Sequence, residues 1–99
     1  MNSTFVTTVL NIRFDTMEDD ATNRSFDWAH LHFIGEQQHT ENFSGVQVAK
    51  VRIDTADNNK LAKRLHALGH DFPLEAEITT RMEIAKGEPR LTVIDVQPV

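Results

Sequence analysis

Four ring-bearing side chains, Phe26, Trp28, His30 and His32, occupy every second position of Ser25–Ile34 (SFDWAHLHFI). Strand side chains alternate between faces, so as a strand this run sets four flat rings on one surface. Ala29, Leu31 and Phe33 then form an apolar row on the other. The apolar row suits a core and the ring row suits a ligand. Aromatic rings stack on nucleobases for about 1–3 kcal/mol per base, whatever the base. The competing assignment puts Phe26 and Trp28 in the core and turns Leu31 and Phe33 elsewhere.

A single-stranded nucleic acid also needs cations beside the rings for its phosphates. Lys50 and Arg52 share one face of the expected strand Val46–Ile53, opposite Ala49, Val51 and Ile53. Arg13 falls on the outer face of the expected first strand, Phe5–Phe14, and Arg24 borders the ring-bearing strand. These two are the only cations among residues 1–45. The candidate contact set is therefore Arg13, Arg24, Phe26, Trp28, His30, Lys50 and Arg52.

Other chemistries find less support. His30 and His32 could both reach one metal ion, with His39 or an acid as a third ligand. No cysteine and no H-E-x-x-H pattern accompanies them, so no metal site is expected. Glu18, Asp19 and Asp20 cluster in a stretch that reads as a solvated loop. There is no G-x-S-x-G, no phosphate-binding glycine loop and no Cys–His couple, so neither an enzyme nor a cofactor is expected.

The elements that must position these residues follow from periodicity. Val6, Thr8, Leu10, Ile12 and Phe14 line one face of the first strand. Asp15–Arg24 and Gly35–Gly45 read as long polar loops on either side of the second. After the third strand, Asp54 or Thr55 caps a helix over 57–68, with Leu61, Leu65 and Leu68 as its apolar stripe. Gly69 ends it and Pro73 blocks any continuation. Leu74–Ile84 alternates cleanly as a fourth strand, with Leu74, Ala76, Ile78, Thr80, Met82 and Ile84 on one face. A Lys86-Gly87-Glu88-Pro89 turn leads into a fifth, Arg90–Val96, apolar on both faces. The order strand, strand, strand, helix, strand, strand predicts a mainly β, five-stranded OB-fold barrel with the helix between strands three and four. Such barrels bind oligonucleotides or oligosaccharides on strands two and three, where the rings and cations fall.

At 99 residues and 39% hydrophobic, the chain is expected to form one domain, 1–99. No apolar run approaches the roughly 20 residues a membrane helix needs, and no signal peptide is visible, so a cytoplasmic protein without a membrane partner is expected. The net charge of −5 argues against bulk attraction to polyanions, but it is uneven. Residues 1–45 carry two basic and seven acidic side chains, a balance of −5. Residues 46–70 carry five and two, a balance of +3; residues 71–99 carry three and six, a balance of −3.

The tail EAEITTRMEIAKGEPRLTVIDVQPV resembles the closing hairpin of the small single-stranded DNA-binding proteins of filamentous phages. It shares a strand, a short glycine-containing turn, a second apolar strand and a terminal segment with proline. The resemblance implies an OB-fold homodimer, joined through this hairpin, that coats single-stranded DNA replication intermediates in a bacterial cytoplasm. It implies stacking aromatics beside basic side chains; a single-strand-binding face of this kind is also open to RNA. That family often stacks on tyrosine, which this chain lacks, leaving Phe and Trp. The alternative expectation is an OB-fold interaction or assembly module whose aromatic face docks a polypeptide.

Overall fold

The computed structural model describes residues 2–99, the side chain of Glu36 apart. Five strands, β1 (Asn2–Asp19), β2 (Arg24–Thr40), β3 (Phe43–Ile53), β4 (Leu74–Ala85) and β5 (Glu88–Pro98), close a barrel in the order β1-β2-β3-β5-β4. The helix α1 (Ala56–Ala67) lies between β3 and β4. Neighbours pair antiparallel except β3 and β5, which run parallel and meet only at Arg52–Thr92 and Ile53–Val93. This is the OB-type barrel expected from the element order.

The core takes one face of β2, β3 and β4; on β5 the adjacent Thr92 and Val93 are both buried, and a register shift at Ile94 turns Val96 inward as well. Val9, Ala29, Leu31, Ile53, Ala76, Ile78, Val93 and Val96 are buried in it. Each large aliphatic among them contributes about 1.5–3 kcal/mol relative to exposure. On β2 the split is as the alternation predicts, with Ala29 and Leu31 buried and Phe33 packed against the core.

On β1 the expected single face does not hold. Val9 is buried while Val6 is exposed, yet Ile12 and Phe14 pack on the core. A register shift between Val9 and Asn11 explains the change. The extra residue, Leu10, moves the inward parity from odd to even positions, as a bulge does.

The two polar stretches read as loops are largely strand. β1 and β2 pair out to Asp19–Arg24, and β2 and β3 pair out to Thr40–Phe43. Both are hairpin arms projecting from the barrel. Their polar composition reflects the absence of a core beneath them, since the backbone ladder forms without one. Cross-strand contacts help hold them: Thr16 Oγ1 donates to Asp27 Oδ1 (2.6 Å) and Ser44 Oγ meets His39 Nδ1 (2.9 Å).

The helix forms where expected, but its buried face differs. Asn59, Ala62 and Leu65 are buried and Leu61 packs at the core edge, whereas Leu68 is 54% exposed. Leu68 lies one residue past the last helical residue, Ala67, at the solvent end of the helix. Asp57, Asn58 and Asn59 at its start have φ of 57°, 60° and 59°, a left-handed turn before the regular helix. Asp and Asn tolerate this conformation better than other non-glycine residues. Thr55 precedes the helix without a side-chain cap bond, and Asp54 Oδ1 instead accepts from the Ala56 N–H (3.2 Å). Gly69, at φ 66°, follows the helix as expected. Arg64 ties it to β5 through Asp95 (3.0 Å). The Gln97 hydrogen bond holds the Asp95 carboxyl below its usual range against the opposing effect of burial, and Arg64 adds to the lowering.

The last hairpin turns tightly at Lys86-Gly87, whose φ of 54° and 79° suit a two-residue turn matched to strand twist. Its inner face follows the core row outward. Met82 pairs with Leu91, and Ile84 with Pro89. Met82, Ile84 and Leu91 are 44%, 77% and 48% exposed, so the apolar row outruns the barrel.

Candidate nucleic-acid interface

The outer surface of β1, β2 and β3 is one continuous sheet, so directly opposed residues share a face. Four rows cross it. Arg13, His30 and Arg52 stand opposite one another; so do Asn11, His32 and Lys50; Trp28 stands opposite Asp15 and Phe26 opposite Met17. The inward Ala29 and Leu31 fix this arrangement, because burying them forces Trp28 and His30 outward.

Between these rows lies an open cavity of about 380 Å³ walled by Arg13, Met17, Phe26, Trp28, His30, His32 and Lys50. The Trp28 and His30 rings lie 5.7 Å apart, tilted by 35°. Phe26 is 52% exposed and Trp28 is half-buried. The Trp28 Nε1–H is shielded and has no hydrogen-bond partner among the described residues, which is uncommon for a buried donor. His32 Nδ1 is fixed by Asn11 Oδ1 at 3.0 Å.

Electrostatics sets the state of His30. Partial burial pushes the His30 imidazole below its usual range, and the charges of Lys50, His32 and Arg52 add to that. His30 is therefore a neutral ring at neutral pH, able to stack and to accept a hydrogen bond. The surrounding cations remain for an anion.

Five of the seven candidate residues, Arg13, Phe26, Trp28, His30 and Lys50, wall this cavity. Arg52 sits one strand over, opposite His30, and borders the neighbouring groove. Arg24 does not join them. It lies at the far end of the β1–β2 arm opposite Asp19. Met17 and His32 complete the wall. Met17 fell within the stretch read as a loop; continuing the Arg13, Asp15, Met17 alternation would have found it.

The acids of the arm are divided between its faces. Asp27 points with the core parity and accepts from Thr16. In the orientation that satisfies its amide, Asn58 bonds Asp27 Oδ2 (3.2 Å) and Lys63 Nζ (3.1 Å), which engages that acid beneath the rings. Asp15 remains on the ring side, opposite Trp28.

His39 lies out on the β2–β3 arm bonded to Ser44, away from the His30–His32 pair. Among the described residues no three His, Cys, Asp or Glu side chains converge as metal ligands. No helix among them is long and apolar enough to cross a membrane. Comparison with protein-family models, curated proteins and solved structures gives no match.

Proposed function

We propose that the protein binds single-stranded nucleic acid, DNA foremost, with little sequence preference. The observation that carries this reading is the cavity in which Phe26, Trp28 and neutral His30 stand between Arg13 on one strand and Lys50 on another. Stacking on ring faces gives binding energy but no sequence code, hence the tolerance of sequence. Flanking cations give phosphate attraction and a dependence on salt. Arg52 extends the cationic edge on the β3 side.

On this reading the protein coats replication intermediates in the cytoplasm, as the phage single-stranded DNA-binding proteins that its tail resembles do. Two copies join through the end of the β4–β5 hairpin, where Ile84 is 77% exposed. Fluorescence polarisation with labelled oligo-dT tests the function. Saturable binding whose logarithm falls linearly with the logarithm of salt is expected. An interaction module that docks protein on the aromatic face would leave polarisation unchanged even at low salt.

A further inference from the structure

A second opening lies beside the ring cavity and has a different chemistry. β3 and β5 pair only at Arg52–Thr92 and Ile53–Val93, then splay apart. Beyond that point β3 has β2 on one side and β5 has β4 on the other. Their facing edges have no pairing partner among the described residues. Each such edge presents alternate N–H and C=O groups that are left unpaired.

The slot between them has a volume of about 470 Å³. Phe33, Ala49 and Val51 line one wall; Met82, Pro89 and Leu91 line the other. These are the core-facing rows of β2–β3 and β4–β5 continued past the closed part of the barrel. The charged side chains bordering it are Lys50 and Arg52, and no acid does.

We propose that this slot takes up an extended segment of another protein, inserted as a β-strand, in which apolar side chains alternate with acidic ones. An inserted strand satisfies both bare edges at once, which a nucleic acid cannot do. Its inward side chains cover Val51, Met82 and Leu91, while its outward side chains meet Lys50 and Arg52. The period-two pattern of the partner follows from the strand geometry. Charge complementarity selects acids for the outward positions. The proposal is independent of nucleic-acid binding, although Lys50 borders both openings, so the two ligands compete in part.

The test uses a short fluorescein-labelled peptide of alternating glutamate and valine. A twin N-methylated on alternate residues and a peptide of alternating lysine and valine serve as controls. The full chain should bind the first peptide saturably and each control at least tenfold more weakly. The Asp54 N–H donates to the Val93 carbonyl, so by alternation the Lys50 and Leu91 amides face the slot, and their exchange should slow in the complex. Leu91→Glu should abolish peptide binding, and oligo-dT affinity should stay within twofold. Trp28→Ala should do the reverse. Circular dichroism establishes that Leu91→Glu folds; Met82→Ala, a milder change in the same wall, should weaken the peptide several-fold. No binding of the first peptide overturns the proposal, as does equal binding of the N-methylated twin. Protection of the same amides by oligo-dT instead of the peptide also overturns it. So does a dimer, seen by sedimentation, that seals the slot and dissociates in Leu91→Glu.

Discussion

Two openings of similar size flank Lys50, and they ask for different ligands. The cavity on β1–β2–β3 is walled by rings and cations on a fully paired sheet, so its backbone is spent and only side chains act. The slot between β3 and β5 is walled by aliphatic side chains and has bare backbone edges. Side chains that stack without hydrogen-bonding a base edge fit a nucleic acid read for shape. Unpaired edges fit a strand. The fold creates this contrast by closing β3 on β5 over only two residue pairs.

The contrast can be broken from beneath. Leu31 is wholly buried under the ring face, so Leu31→Ala should cost about 2–5 kcal/mol in urea unfolding. Both openings should weaken together in that variant. Trp28→Ala acts from above. It should cost about 1–3 kcal/mol of oligo-dT affinity by polarisation. The melting temperature should shift by only a few degrees; a sharp fall would place Trp28 in the core.

Smaller effects sharpen the picture. Arg13→Ala or Lys50→Ala should each reduce the salt slope by about 0.7, the single-strand value per phosphate. Arg24→Ala, at the end of the arm, should leave the slope unchanged. His30 supplies a pH signature. Its folded value is depressed, so the unfolded chain binds the proton more readily. The stability from neutral His30 is full above about pH 6.5 and is lost as pH falls through the folded value. His30→Gln should flatten that fall in thermal melts, while acidification strengthens oligo-dT binding to the unsubstituted chain. The smallest effect is expected at the exposed Arg64–Asp95 pair, where Arg64→Ala should cost about 1 kcal/mol or less.

Much of this arrangement is legible in the sequence where one physical constraint dominates. The β2 faces are legible because Ala29, Leu31 and Phe33 leave the rings nowhere but outside. The tight turn at Lys86-Gly87 and the helix end at Gly69 are legible from glycine's tolerance of positive φ. The β1 face is not, because the shift at Leu10 depends on pairing with β2 and leaves no local mark. The arms look like loops because hydrophobic periodicity reports a core, and a projecting hairpin has none. Leu68 looks buried because a 3.6-residue period does not show that the helix stops at Ala67, one residue short of it. Met17 was lost with the arm that holds it. The slot could not be read at all, since it exists only where two strands distant in sequence fail to meet.

The central claim is that Trp28 faces a ligand in a cationic cavity. Its intrinsic fluorescence tests this directly, since it is the chain's one tryptophan. The experiment is a titration with oligo-dT at low and at high salt. Saturable quenching at low salt that weakens markedly at high salt is the predicted result. Emission that stays constant at low salt would contradict the account.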